Sequence, residues 1–189
     1  MSDNDTSERR DAAARYTIRA AREDEAQRLS TLMRACFLAA YRDSATPENI
    51  AAHLDRSYRT DLQAAELARP QRRTLVAEAD GAWAGYAQVD FATDPPVPLD
   101  VSGAVQLSRI YLLPEHHGTG LAARLLGAVR DLAAGQGAGA WWLTVWKESP
   151  RAIAFYRAQG FREVGECTFL IGDDPQVDYV MVGPIRPAG

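Results

Sequence analysis

The chain has 189 residues, of which 47% are hydrophobic and 24% are charged, and its formal net charge is −4 at pH 7. This length suits one domain with its own core and is short for two, so we predict a single domain over residues 16–185. The acidic balance argues against nucleic-acid binding, which needs Lys and Arg to neutralise phosphates. The polar residues 1–15 lack the apolar segment of a signal peptide or membrane span, and we predict a disordered tail there.

Two cysteines, Cys36 and Cys167, lie far apart in the sequence. Neither has a second cysteine at the spacing of a metal site, and His116 and His117 lack a third ligand at recognisable spacing. The sequence therefore predicts a reducing, cytoplasmic location without a metal site, and neither a nucleic acid nor a membrane as partner.

The first half of the chain predicts a strand, helices and a hairpin. "YTIRAA" is typical of a strand, and the residues after it place an apolar stripe at helical spacing: Leu29, Leu32, Met33, Phe37 and Ala40. Thr46 and Pro47 are typical of a helix start, and the segment from there to Pro70 predicts one broken or two short helices. Asp80 and Gly81 separate two strand-like runs and predict a hairpin.

The second half alternates between strands and helices. It predicts a strand at "VQLSRIYLL", a helix from about Gly118 to Gly135 with Leu121, Leu125, Val129 and Leu132 as its buried stripe, a strand at "WWLTVW", a helix at "SPRAIAFYRAQ", and a closing hairpin joined at "GDDPQ". This order contains one parallel crossover unit. We therefore predict an α/β fold with a mixed sheet and helices packed on its faces.

Gly118 and Gly120 stand where a predicted strand gives way to a helix. Unpaired N–H groups and the helix dipole favour an anion at a helix start, and glycine lets a bulky phosphate approach the backbone. A nucleoside triphosphate loop is excluded because no lysine follows Gly120. Gly118, Gly120 and Ala123 match the dinucleotide pattern G-x-G-x-x-G/A, but residues 114–117 separate the strand from the helix, which disfavours a Rossmann turn.

A coenzyme A pyrophosphate loop is the third interpretation, and two motifs support it. "HGTGLA", residues 117–122, resembles the R/Q-x-x-G-x-G/A signature of the GNAT superfamily of N-acetyltransferases, with His117 in the usual Arg or Gln position. "SPRAIAFYRAQGF" is similar to that family's second signature, N-x-x-A-x-x-F-Y-x-x-x-G-F, with Ser149 in place of asparagine. The resemblance covers residues 16–183 and is nearest to the bacterial spermine/spermidine acetyltransferase branch of the PaiA type, through "LSRIYLLPEHHGTGLAARLL" and "GDDPQVDYVM".

The resemblance implies a mostly antiparallel sheet whose central parallel strands splay apart, with acetyl-CoA between them and a small-molecule amine as the acceptor. It also implies that a homodimer is common. The cofactor-binding residues that it implies are Ile110, Tyr111, Leu112, His117, Gly118, Thr119, Gly120, Leu121, Ala122 and Ser149. Direct attack of an amine on the thioester needs a proton for the departing thiolate.

Tyr156 is the predicted proton donor. On a helix, Ser149, Tyr156 and either Ala152 or Ile153 share one face by three- and four-residue spacing. A phenol with a pKa near ~10 can donate to a thiolate whose thiol has a pKa near ~8.5. We therefore expect Tyr156 to meet the sulfur of the co-substrate.

The general base is open at this point. Gln106 occupies a place where related sequences often carry a glutamate, and it cannot serve as a base. Glu78, Asp90 and Glu148 remain as candidates. Arg109, between apolar residues of a predicted strand, either faces solvent or pairs with a carboxylate in the acceptor cleft.

Two alternatives to a small-molecule acetyltransferase stay open. The acceptor could instead be an amino sugar, an antibiotic amine or a protein amine, because function depends on the acceptor pocket more than on the fold. A module that senses acyl-CoA without turning it over is also compatible, because Gln106 and Ser149 depart from the family's pattern.

Overall fold

The computed structural model describes residues 16–185, and the predicted disordered tail lies outside the described residues. The elements follow in the order β1 (Thr17–Ala20), α1 (Ala26–Tyr41), α2 (Pro47–Ser57), α3 (Thr60–Leu67), β2 (Arg72–Ala79), β3 (Ala82–Asp90), β4 (Ala104–Leu112), α4 (Leu121–Gly135), β5 (Ala140–Trp146), α5 (Pro150–Ala158), β6 (Arg162–Ile171) and β7 (Asp174–Pro184). One-turn 3-10 helices, Glu23–Glu25 and Pro114–His116, precede α1 and α4. Within residues 16–185, no helix is both long enough and apolar enough for a membrane crossing.

The strands form one seven-stranded sheet in the order β1-β2-β3-β4-β5-β7-β6. All neighbouring pairs are antiparallel except β4 and β5, which are parallel and joined through α4. This confirms the predicted mixed α/β sheet with one central parallel pair. The helical segment before β2 consists of two short helices, α2 and α3, which settles the alternative that the sequence left open.

Helices cover both faces of the sheet, and each face has its own core. On one face, Leu121, Leu125 and Val129 of α4 are fully buried against the strands. On the other face, the core includes Leu29, Met33, Phe37, Ile50 and Leu54 from α1 and α2. Two residues of the predicted stripes differ: Ala40 is exposed near the end of α1, and Leu132 is only partly buried because Ala133 takes the inner position of that turn.

Two hairpins show how local sequence sets the turns. Asp80 and Gly81 have φ values of 51° and 79°, so both adopt the left-handed conformation of a two-residue hairpin turn, as predicted. The closing hairpin turns at Gly172 and Asp173 alone, which corrects the longer predicted loop. The strand can start this early because Asp174–Val177 pairs with β6 on one side only, and an edge position tolerates Pro175, which lacks an N–H.

A β-bulge and a short parallel ladder shape the centre of the sheet. Val89 pairs with Leu107 and Gln88 with Arg109, so Ser108 is an extra residue in β4. The bulge places Leu107 and Ile110 in the core of the α4 face, whereas Tyr111 packs against the opposite core. The parallel strands pair only between residues 104–106 and 140–142, and beyond that point β4 and β5 diverge.

Candidate active site

A cavity of about 330 Å³ lies where β4 and β5 diverge. Its lining residues come from four elements: Ile110 and Tyr111 from β4, Thr144 and Trp146 from β5, Ser149, Ala152 and Tyr156 from the start and first turns of α5, and Tyr41 from α1. Four residues that the sequence assigned to one site therefore lie around one cavity: Ile110, Tyr111, Ser149 and Tyr156. An extended strand and a helix thus both face this cavity.

The start of α5 presents one face to the cavity. Ser149 is the N-cap residue, but its side chain makes no capping hydrogen bond, so its hydroxyl remains available to a ligand. Ala152 lines the cavity, whereas Ile153 is buried in the core, which settles the choice between them. Tyr156 is 8% exposed and its ring makes an edge contact with Phe161, 5.6 Å between centroids.

Burial raises the pKa of Tyr156, and the neighbouring Tyr111 raises it further. The phenol is therefore uncharged throughout the physiological range and can act as a hydrogen-bond donor. Because Tyr156 lines the cavity in its protonated state, its hydroxyl can donate a hydrogen bond or a proton to a group bound there.

The glycine pair forms a tight loop between the 3-10 turn and α4. Gly118 and Gly120 have φ values of 77° and 82°, which favour glycine over residues with a Cβ. The Thr119 hydroxyl donates to the carbonyl of His116 at 2.8 Å and closes the loop. Leu112 and the predicted phosphate-binding residues 117–122 lie outside the cavity, at the end of β4 and the start of α4.

Backbone N–H groups are concentrated at this helix start. The Arg124 N–H donates to the Gly120 carbonyl at 3.2 Å, which is the first hydrogen bond of the helix. The N–H groups of Leu121, Ala122 and Ala123 thus precede any intrahelical acceptor and carry the positive end of the helix dipole. This arrangement can bind a phosphate group.

The two loop histidines have different environments. His116 Nδ1 lies 2.9 Å from the Tyr16 hydroxyl, and His117 Nε2 lies 3.3 Å from the Leu112 carbonyl. Within residues 16–185, no three His, Cys, Asp or Glu side chains are grouped as a metal ion would require.

Arg109 lines the cavity and forms an ion pair, as one of the two predicted environments requires, but its partner Glu66 is not among the residues that line the cavity. Its Nη1 lies 2.8 Å from Glu66 Oε2 and 2.6 Å from Gln88 Oε1, and its guanidinium lies over the Tyr58 ring at 5.5 Å. Burial raises the pKa of Glu66, but the charges of Arg109 and Arg72 outweigh it and the pKa lies below its usual value. Sequence reasoning missed Glu66, because nothing in its spacing connects α3 to β4.

Two of the three residues predicted as candidates for the general base pair with arginine outside the cavity. Glu78 accepts a hydrogen bond from Arg19 Nε at 2.9 Å, on the outer strands of the sheet. Asp90 is fully buried and accepts from Arg72 Nη2 at 2.9 Å. Both carboxylates are thus neutralised outside the cavity, and only Glu148, which is exposed, contributes to the cavity wall.

Sequence reasoning missed two residues at or next to the cavity, Tyr41 and Asp178. The Tyr41 hydroxyl lies 3.3 Å from the Tyr111 hydroxyl, so α1 contacts β4 at the cavity. Asp178 of β7 pairs with Trp146 of β5 and is 6% exposed. The only signal for Asp178 in the sequence is a charged residue within the apolar strand "VDYVMV".

Comparisons with known proteins give a family and a shared fold. Residues 26–161 match the Acetyltransferase (GNAT) family. An uncharacterized N-acetyltransferase of Mycobacterium bovis is 37% identical over 158 residues, which make up 84% of this chain and 96% of the relative.

Two solved structures share the fold at low identity. The PaiA N-acetyltransferase from Thermoplasma acidophilum, in complex with coenzyme A, has a TM-score of 0.74 at 20% identity and covers 89% of this chain and 98% of its own. A spermidine N-acetyltransferase chimera of Vibrio cholerae SpeG and hSSAT has a TM-score of 0.66 at 20% identity and covers 90% of this chain and 96% of its own.

Proposed function

The chain belongs to the GNAT family of acetyl-CoA-dependent N-acetyltransferases, and we propose that it transfers the acetyl group to a primary amine of a small molecule, such as a polyamine. The observation that carries the proposal is the gap between β4 and β5, where strand pairing ends at residues 106 and 142 and a cavity with Tyr156 begins. The gap exposes two strand edges to which an extended ligand can bind. Tyr156 can act as a proton donor to the reactive end of that ligand.

In this proposal, the co-substrate lies along the diverging strands. Its pyrophosphate binds the N–H groups of residues 117–122, supported by the two left-handed glycines and the start of α4. Its pantetheine arm bonds to the backbone of Ile110, Tyr111 and Leu112. The Ser149 hydroxyl, which does not cap its helix, is a further donor.

The chemistry is a direct attack on the thioester. The nitrogen of a neutral amine forms a bond to the acetyl carbon, and the carbon–sulfur bond then breaks. The sulfur leaves as a thiolate and takes a proton from the Tyr156 hydroxyl, while the nitrogen loses one proton to a base. The products are the acetylated amine and free coenzyme A.

Two observations favour a polyamine as the acceptor: the net negative charge of the chain and its fold similarity to distantly related proteins. A net charge of −4 attracts a polycation weakly, and two proteins of the same fold are named PaiA N-acetyltransferase and spermidine N-acetyltransferase. A reducing, cytoplasmic location belongs to the same proposal and agrees with the free thiols of Cys36 and Cys167. The homodimer stays a prediction.

The test is acceptor-dependent release of coenzyme A. Purified protein is given acetyl-CoA with spermidine, spermine, amino sugars, amino acids and lysine peptides, and the free thiol is measured. We expect turnover with one class of amine above the rate without an acceptor, and polyamine turnover would support the finer proposal. Tight binding of acetyl-CoA without turnover on any amine would overturn the proposal in favour of an acyl-CoA sensor.

A further inference from the structure

Asp178 lies directly behind the cavity wall. In the antiparallel pairing of β5 and β7, Trp146 is opposite Asp178 and Thr144 is opposite Val180. Opposite residues of an antiparallel pair, and residues two apart on one strand, point to the same face. The side chain of Asp178 therefore shares its face with Thr144 and Trp146, both of which line the cavity.

The carboxylate of Asp178 has no salt bridge among residues 16–185, unlike the carboxylates of Asp90 and Glu66. It is 6% exposed, and its Oδ1 has no hydrogen-bond partner among residues 16–185. No salt bridge within this range joins it to an arginine or lysine, in contrast to Asp90 and Glu66, which both pair with arginine. A buried, unpaired carboxylate lowers stability, so its presence beside a cavity points to a function.

The titratable groups around Asp178 do not supply a counter-charge. Tyr41 of α1, Tyr111 of β4 and Cys167 of β6 face it from the neighbouring elements, and burial raises the pKa of each, that of Tyr41 to about 12. All three are therefore neutral at pH 7. The adjacent cation Lys147 is held by Glu166, with 2.7 Å between Nζ and Oε1.

Burial raises the pKa of Asp178 to about 6, and a hydrogen bond with Thr144 opposes this effect. A carboxyl group with such a pKa is mostly ionised at neutral pH and is well matched to accept a proton in catalysis. The rival carboxylate, Glu148, is exposed on the cavity rim, where solvent competes for it.

We infer that Asp178 is the group that receives the proton lost by the acceptor nitrogen, and that the Thr144 hydroxyl passes it on. This inference rests on the proposed acetyl transfer. After the nitrogen has bonded to the acetyl carbon, its N–H proton moves to the Thr144 oxygen, and the Thr144 proton moves to the carboxylate of Asp178. The carbon–sulfur bond breaks and the sulfur takes the Tyr156 proton. Asp178 then loses its proton to water, and the phenolate of Tyr156 takes a proton from water.

The experiment compares five forms of the full chain with the amine that the acceptor panel identifies. These are the wild type, Asp178→Asn, Thr144→Val, Thr144→Ser and, as a control, Asp173→Asn, an exposed carboxylate in the hairpin turn before β7. For each form, kcat/KM is measured between about pH 5 and pH 9, acetyl-CoA affinity by calorimetry, and folding by thermal denaturation.

We expect Asp178→Asn to lower kcat/KM about a hundredfold or more and to remove the acidic limb of its pH profile near pH 6. Thr144→Val should show a similar loss, whereas Thr144→Ser, which keeps the hydroxyl, and Asp173→Asn should stay within about threefold of wild type. Acetyl-CoA affinity should be unchanged in all five forms.

Three results would overturn the inference while leaving the proposed function intact. One is an Asp178→Asn profile identical to that of the wild type. Another is a loss that appears instead in Glu148→Gln, which is measured beside the five forms because Glu148 is the rival carboxylate. The third is an Asp178→Asn form that fails to fold or to bind acetyl-CoA while Thr144→Val keeps full activity. A wild type that binds acetyl-CoA but acetylates no amine would overturn the proposed function and this inference together.

Discussion

Arg109 and Glu66 form a salt bridge between the centre of the sheet and the helical segment, with 2.8 Å between Nη1 and Oε2. The two side chains are 21% and 19% exposed. Arg72 also contacts Glu66, at 2.7 Å, so one carboxylate bridges two guanidinium groups, and Asp90 supplies the second negative charge to Arg72. This contact holds α3 against the strand that opens the cavity.

Replacing Glu66 by Gln should destabilise the protein, because the largely buried guanidinium of Arg109 would lose its carboxylate partner, whereas Arg72 would keep Asp90. We expect the free energy of unfolding to fall by about 2–4 kcal/mol, measured by urea denaturation. Asp61→Asn, which removes an exposed partner of Arg59, is the control and should change stability little. Equal effects of the two substitutions would contradict the structural role of the pair.

Two glycines with similar positive φ values provide a matched test of the phosphate loop. Gly118 and Gly137 have φ values of 77° and 81°, and a Cβ added at either meets no atom within 4 Å. Alanine at each should therefore cost about 1 kcal/mol of stability through backbone strain alone. Only Gly118→Ala should weaken coenzyme A binding, by about tenfold in calorimetry, because its strain displaces the loop N–H groups. Unchanged binding would remove the pyrophosphate from this loop.

Removing the Tyr156 hydroxyl should separate catalysis from binding. Tyr156→Phe keeps the ring contact with Phe161 but deletes the proton donor, so we expect kcat to fall by about a hundredfold with unchanged acetyl-CoA affinity. Tyr179→Phe, on β7 outside the cavity lining, is the control. A Tyr156→Phe form as fast as the wild type would assign the proton donation elsewhere.

Asp178 should make stability depend on pH with a definite sign. Its pKa rises from an ordinary 3.8 to about 6 on folding, so the folded state binds the proton more tightly than the unfolded state. The contribution of Asp178 to stability is therefore complete below about pH 4, and roughly 3 kcal/mol of it is lost as pH rises through 6.

Asp178→Asn removes this dependence, so above pH 7 it should melt at a higher temperature than the wild type. At pH 4 the two melting temperatures should differ less, as scanning calorimetry would measure. A variant that melts lower at high pH would show that the carboxylate is stabilising. Greater stability with lower activity is the combination expected of a functional buried charge.

Features set by neighbouring residues could be predicted from the sequence. The Asp80–Gly81 turn, the left-handed Gly118 and Gly120, and the order of strands and helices depend on local chemistry and on periodicity. The common face of Ser149 and Tyr156 was also predictable, because helical spacing alone determines it.

Features that depend on residues far apart in the sequence could not be predicted. The partner of Arg109 lies 43 residues away in α3, and no pattern in the sequence joins the two. The position of Asp178 depends on the register between β5 and β7, since a shift of one residue would turn its side chain to the other face. The bulge at Ser108 likewise depends on how β3 and β4 pair.

The three-residue ladder between β4 and β5 has a consequence for how the sheet is completed. Beyond residues 106 and 142, the facing edges of both strands carry peptide groups that no neighbouring strand pairs, as at the rim of an open sheet. A pantetheine arm, which has amide groups of its own, would act there as a guest strand between the two halves. Acetyl-CoA would then stabilise the sheet as well as react. Its binding should slow amide deuterium exchange in both strands at the same time.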